Sequence, residues 1–151
     1  FVVINCFAMA GLEIKNLKGQ TAPSFSLKNL NDEIVNSDDF FGKKPVLLFF
    51  WATWCPHCQS AIKELNSKAS ALKSRGAEVI TVDLGESKTL VSSYMKEHKY
   101  TLTVLLDKDQ VLAEPYGIIG VPTFFIIGKD GKIKSKVNLL PEDYEKILLS
   151  N

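Results

Sequence analysis

Residues 45–58 read PVLLFFWATWCPHC, an unbroken apolar run that ends in two cysteines separated by Pro56 and His57. A strand with no polar side of its own must be covered on both faces, which restricts it to a parallel or mixed sheet held between other layers. From Ser60 the period changes: Ala61, Ile62, Leu65, Ala69 and Leu72 recur at helical spacing, and Gly76 follows Lys73 and Arg75 as a stop signal. The cysteines therefore fall where a buried strand hands over to a helix.

The rest of the chain extends this pattern. SFSLKNLNDEIVN carries Phe25, Leu27, Ile34 and Val35 around the turn-forming Asn31-Asp32, which predicts an early hairpin. AEVITVDL and LTVLLD read as further buried strands. Between them, ESKTLVSSYMKEH reads as a helix with Leu90, Val91, Tyr94 and Met95 on its inner stripe. QVLAEPYGI reads as a short helical piece, and PTFFII and KIKSKV as a hairpin closed by Gly128-Lys129-Asp130-Gly131. The last segment, PEDYEKILL, predicts a helix with Pro141 and two acids in its first turn.

Strands alternating with helices and closed by an antiparallel hairpin predict an α/β fold with a central mixed β-sheet, helices on both faces and an N-terminal β-hairpin. At 151 residues with 46% hydrophobic side chains, the chain can build one core without staples, and no repeat or linker divides residues 13–151. A formal charge of +1 gives no electrostatic case for nucleic acid or an acidic membrane surface.

Residues 1–12 stand apart. FVVINCFAMA is apolar and uncharged and closes on Ala8-Met9-Ala10, a pattern found at signal-peptide cleavage sites, so we expect a remnant of an export signal or membrane anchor. A cloning remnant or a first strand is the competing reading, because the stretch has no basic start. Cys6 lacks the small residue expected before a lipidated cysteine and reads as an apolar thiol without chemistry.

Position gives Cys55 and Cys58 different chemistry. The first sulfur lies at the helix N-terminus, where unpaired N–H groups and the positive end of the macrodipole stabilise a thiolate and lower the thiol from its free value of about 8.5. The second lies one turn inside and stays protonated longer. One accessible nucleophile with a resolving thiol beside it can carry out thiol–disulfide exchange. Pro56 fits the first turn, whose N–H groups have no helical acceptor to lose. His57 can donate to the Cys55 thiolate or carry positive charge beside it, which makes the disulfide more oxidising.

A purely structural bridge between these positions closes too small a loop to constrain the unfolded chain much. A zinc site needs two more ligands, for which only His98 and Cys6 remain and neither has zinc-type spacing, so no metal is expected. A peroxide-reducing site of the P-x-x-x-T-x-x-C kind would put Pro and Thr where this chain has Leu48 and Ala52, and the single arginine, Arg75, lies far downstream. The working redox pair is the reading that survives, and it needs no cofactor.

FWATWCPHC, GVPTFFI and GKDGKI together resemble the thioredoxin fold, specifically its TlpA/ResA-like branch of thiol-disulfide oxidoreductases linked to cytochrome c maturation. The resemblance runs from GQTAPSFSL to the end and includes the strand-helix segment DLGESKTLVSSYMKEH. It implies that Pro122 is a cis-proline facing the cysteines and that Val121 offers its backbone to an incoming extended chain. An ordinary trans-proline at a strand start stays open on sequence grounds.

Thioredoxins resemble one another in a buried Asp where this chain has Phe49. The resemblance gives Glu86 the part of that missing proton acceptor, with its acidity weakened by burial near the thiols. The competing role is a helix N-terminal acid that ignores the cysteines. Trp51 and Trp54 are expected to form an apolar rim and support for the motif.

The reading that follows is an extracytoplasmic, membrane-tethered or exported enzyme that reduces protein disulfides. Its implied partners are protein thiols and disulfides such as those of apocytochrome c, with electrons arriving from a membrane thiol donor. Pro56-His57 also resembles the oxidising DsbA-type enzymes, so a dithiol oxidase or a general exported thioredoxin is the alternative. A redox-inert module that binds extended peptides in the Pro122 groove is the reading from another class.

Overall fold

A computed structural model describes residues 15–151 of the chain. The expectations for residues 1–12, Cys6 and Ala8-Met9-Ala10 among them, lie outside the described residues.

Seven strands form one mixed sheet: β1 (Ser26–Asn29), β2 (Ile34–Asn36), β3 (Val46–Trp51), β4 (Glu78–Leu84), β5 (Thr103–Asp107), β6 (Thr123–Ile127) and β7 (Ile133–Val137). Their spatial order is β2-β1-β5-β4-β3-β6-β7. The central β5-β4-β3 strands run parallel, whereas β6, β7 and the early β1–β2 hairpin join antiparallel. The apolar β3 occupies the interior of this sheet between β4 and β6, and every one of its residues is buried. The continuous apolar run of residues 46–51 is thus a strand with neighbours on both edges and cover on both faces.

Alternation along β3 feeds two cores. Leu47, Phe49 and Trp51 point to the face packed by α1 (Pro56–Ser74), α2 (Lys88–Glu97) and α3 (Tyr144–Leu149). There Phe49 stacks on Phe124 at a ring separation of 4.5 Å, and Ile62, Leu65, Val91, Met95 and Leu148 close the layer. Val46, Leu48 and Phe50 point to the other face, against Phe25, Phe40, Leu112 and Tyr116. Each of these large side chains contributes about 1.5–3 kcal/mol through burial.

The second face is covered by shorter pieces: the 3-10 helix Ser37–Asp39, the N-terminal segment, and consecutive turns around residues 110–117. That last region was expected to be a helical piece. Instead Asp107 accepts the amides of Val111 and Leu112 with its two carboxylate oxygens, at 2.8 and 2.9 Å, and organises the chain into turns. Side-chain capping of this kind competes with a regular helix.

Leu90 does not lie on the inner stripe of α2: it is 50% exposed, and Val91 and Met95 do the packing. The final helix starts at Tyr144, so Pro141, Glu142 and Asp143 form the turn ahead of it, in which the Tyr144 amide bonds the Pro141 carbonyl at 3.0 Å. No helix among the described residues is long and apolar enough to cross a membrane.

Candidate active site

The site lies at the carboxyl ends of β3 and β4, where chains leaving parallel strands must turn. After Trp51 the segment Ala52-Thr53-Trp54 leads to Cys55, which is the N-cap of α1, with Pro56 at the first helical position. Cys55 and Cys58 are joined by a disulfide, with their Cα atoms 5.1 Å apart. The Cys58 amide, one of the helix's unpaired first-turn donors, points at Cys55 Sγ from 3.2 Å.

Exposure separates the two sulfurs in the expected sense but by a small margin: Cys55 is 4% exposed and Cys58 not at all. What narrows access is the loop before β6. Its Val121–Pro122 bond is cis, and the Val121 carbonyl oxygen lies 3.7 Å from Cys55 Sγ. That loop is pinned from β7's exit: Asn138 donates to the Pro122 carbonyl at 2.8 Å and to Thr123 Oγ1 at 3.1 Å. Thr123 in turn donates to the Gly120 carbonyl at 2.7 Å.

Two depressions flank the motif, the first apolar and the second mixed. One, of about 440 Å³, lies on the His57 side and is lined by His57, Ser60, Pro122, Phe124, Leu139 and Leu140. The other, about 360 Å³, lies on the opposite side, between Trp54, Ile118, Ile119, Val121 and Glu86. Trp54 is 69% exposed at its rim, whereas Trp51 is entirely buried, stacked near Phe49 and set against Tyr94 at 5.6 Å. The paired expectation for the tryptophans therefore divides: Trp54 forms the rim and Trp51 belongs to the core beneath it.

Glu86 approaches the motif by another route than direct contact with sulfur. Gly85, in a left-handed conformation with φ of +86°, turns the chain after β4. The Glu86 carboxylate then accepts the Thr53 amide at 2.6 Å and the Thr53 hydroxyl at 2.7 Å. Thr53 is also held from α1, where Gln59 donates to its carbonyl at 2.8 Å. The loop that delivers Cys55 is thus gripped on two sides.

The acid with the displaced proton affinity is Asp83, which the sequence reading passed over. It is fully buried on β4, its Oδ1 accepts the Glu86 amide at 3.2 Å, and its Oδ2 has no partner. Burial, followed by the neighbouring Glu86 carboxylate, pushes it up to about 8. A signal was present in AEVITVDL: past Glu78 at its start, Asp83 is the one charged residue in an apolar strand, on the face it shares with Val79 and Thr81. Asn138 and Thr53 left no such trace, because their role depends on which loops meet.

Cys55, Cys58, Pro56, His57, Val121 and Pro122 therefore converge, with Trp54 beside them and Glu86 connected through Thr53. The arrangement sets one slightly exposed sulfur beside a backbone carbonyl, a kind of group with which an extended chain can pair.

Residues 18–136 match the AhpC/TSA family. The chain is 34% identical over 119 residues to the thiol-disulfide oxidoreductase ResA of Bacillus thuringiensis subsp. konkukian, covering 79% of this chain and 68% of that one. It is 31% identical over 134 residues to ResA of Geobacillus thermodenitrificans, covering 87% and 76%. Among solved structures, the thioredoxin domain of a thiol-disulfide oxidoreductase from Bacteroides vulgatus superposes with a TM-score of 0.75 at 28% identity, over 86% of this chain and 94% of that one.

Proposed function

The chain belongs to the AhpC/TSA family and is a thiol-disulfide oxidoreductase of the thioredoxin fold similar to ResA, and from that premise we propose that it reduces disulfides of exported proteins. The observation that carries the site assignment is the placing of Cys55 Sγ: at the N-terminus of α1, under the Cys58 amide, beside the Val121 carbonyl, and the only one of the two with any exposure.

In the reduced enzyme the Cys55 thiolate attacks one sulfur of a substrate disulfide. The substrate S–S bond breaks, a Cys55–substrate bond forms, and the other substrate sulfur leaves as a thiolate that takes up a proton. Cys58, losing its proton, attacks Cys55 Sγ, which releases the second substrate thiol and closes the Cys55–Cys58 disulfide. Two electrons pass from the enzyme to the substrate. We assign the accompanying proton movement to Glu86, whose carboxylate holds Thr53 two residues ahead of Cys55.

His57 tunes the pair from the exposed first turn of α1, and Trp54 and the Val121-Pro122 loop receive the substrate chain. We place the enzyme outside the cytoplasm, tethered to or released from the membrane, with a membrane thiol donor restoring the dithiol. The cysteines of an apocytochrome c haem-binding motif are the assigned substrate. The support is the resemblance of Trp-Cys-Pro-His-Cys with Val-Pro-Thr to the TlpA/ResA-like branch. His57 favours a second reading, a dithiol oxidase running the same steps in reverse.

Equilibration of the protein with graded glutathione and dithiothreitol ratios separates the two directions. A potential toward the reducing end of the thioredoxin-fold range, roughly −270 to −120 mV, supports reduction of protein disulfides. A value near the oxidising end overturns it in favour of the oxidase. Incubating the reduced protein with an oxidised Cys-x-x-Cys-His peptide then tests the substrate assignment, since no gain over an unrelated disulfide peptide removes it.

A further inference from the structure

Asp83 is hard to explain as a structural residue. A carboxyl group with no exposure and an oxygen without a partner is costly to keep ionised, and an apolar residue at this strand position would avoid the cost. Its one hydrogen bond is to the amide of Glu86, whose side chain grips both the amide and the hydroxyl of Thr53. The chain of contacts runs from β4 through Glu86 and Thr53 to the loop that ends in Cys55.

The surroundings of Asp83 explain how that chain depends on a proton. Across the sheet it lies level with Trp51 on β3 and Leu106 on β5, neither of which titrates. From α2 comes Tyr94, set against Trp51 and held above its ordinary value by burial. On α1, Cys55 and Cys58 do not titrate while joined, and the exposed His57 lies on the far side of them from Glu86. Glu86 is the acidic neighbour that acts on Asp83: after burial, its carboxylate is what raises the proton affinity of Asp83, while its amide is the one donor Asp83 accepts.

We propose that Asp83 is a positioning residue for the reacting sulfur: it holds Glu86 on Thr53, and so fixes the Thr53–Cys55 loop, only while the Asp83–Glu86 pair carries one proton. With the proton in place, Asp83 is neutral and the Glu86 carboxylate stays on the two Thr53 donors. When it leaves, two carboxylates face each other with no cation between them, and the pair separates at its movable member, Glu86, on the loop. Thr53 is then released and Cys55 loses one of its two anchors.

This reading rests on Cys55 being the attacked sulfur, so the test has one arm that does not. In the oxidised protein, where neither cysteine titrates, the Thr53 amide resonance is followed by NMR from pH 6 to 10. The expected result is a transition centred near pH 8 in the parent, where burial and Glu86 place Asp83, and its absence in Asp83→Asn, which keeps the acceptor for the Glu86 amide. A Thr53 amide that does not move in the parent, or moves identically in the variant, overturns the proposal without touching the assignment of Cys55.

The second arm measures reduction of the Cys55–Cys58 disulfide by dithiothreitol as the ratio of parent to Asp83→Asn rates, in which titration of the reductant cancels. The ratio is expected to lie near one at pH 6.5 and to rise several-fold by pH 9.5 as the loop opens. A ratio that stays constant, with a Thr53 transition present, overturns the link between the pair and the reacting sulfur.

Discussion

The backbone amide of Cys58 points at the sulfur of Cys55 from 3.2 Å, so the first turn of α1 solvates one cysteine with the backbone of the other. A thiolate on Cys55 keeps that donor when the disulfide opens, whereas Cys58, inside the turn and fully buried, has no such place for charge.

Cys58→Ser is therefore expected to stop exchange after its first step. Reduced enzyme carrying this substitution should accumulate a mixed disulfide on Cys55 with a disulfide peptide, visible as an added mass removed by reductant. Cys55→Ser should form no adduct and lose turnover to background. Adduct on Cys58 in the latter variant at a comparable rate would reverse the assigned roles.

His57 stands on the exposed first turn, one residue before Cys58. On the proposal that His57 stabilises the reduced pair, His57→Gln should make the enzyme more reducing by a few tens of millivolts, with 30 mV corresponding to about 1.4 kcal/mol. The glutathione equilibrium constant measures this directly, and an unchanged constant removes His57 from the tuning of the pair.

Thr53→Val deletes the hydroxyl that donates to Glu86 while keeping the side chain's shape. Loss of one hydrogen bond to a charged group is expected to cost about 1.5–3 kcal/mol, read from the urea midpoint at pH 6.5. The same variant should raise the rate of Cys55–Cys58 reduction. Stability and rate that both match the parent would show that the Glu86 grip has no effect on the loop.

Asp83 makes stability depend on pH with a definite sign. Its folded value, about 8, lies above its ordinary 3.8, so the folded state holds a proton that the unfolded chain has lost. That contribution is fully present below about pH 3.8 and is lost as pH rises through about 8. Within the window the parent should lose up to about 1.4 kcal/mol per pH unit relative to Asp83→Asn. Parallel stability profiles from pH 4 to 9 would contradict a buried neutral Asp83.

Tyr116 anchors the other face. Buried between Phe50 and Phe125, it donates its hydroxyl to the Pro23 carbonyl at 2.6 Å and ties the N-terminal segment down. Burial holds its hydroxyl above the ordinary tyrosine range. Tyr116→Phe is expected to cost about 1 kcal/mol in urea unfolding, with the redox equilibrium unchanged because the site lies on the opposite core.

Much of the scaffold was legible because it follows from local pattern. The apolar run before Trp51 had to be an interior strand, the period change after Ser60 had to be a helix, and the glycines around Lys129 and Asp130 suited a tight hairpin. The misreadings arose where a side chain overrode the pattern. Asp107 ties the 110–117 region into turns, and Leu90 fits a helical stripe in a helix whose packed face is narrower than the stripe suggests.

The sequence by itself determined that two sulfurs of unequal character would share the first turn of a helix, because neighbours in the chain and the helix end suffice for that. Tertiary structure alone decided what surrounds them. The approach of Val121 from 66 positions away, the pinning of its loop by Asn138, the reach of Glu86 to Thr53 and the burial of Asp83 beneath it all depend on which strand ends the sheet brings together. The setting of Cys55 follows from both, since the helix terminus supplies the Cys58 amide beside its sulfur, while only packed loops fix its exposure and bury Asp83 behind Glu86.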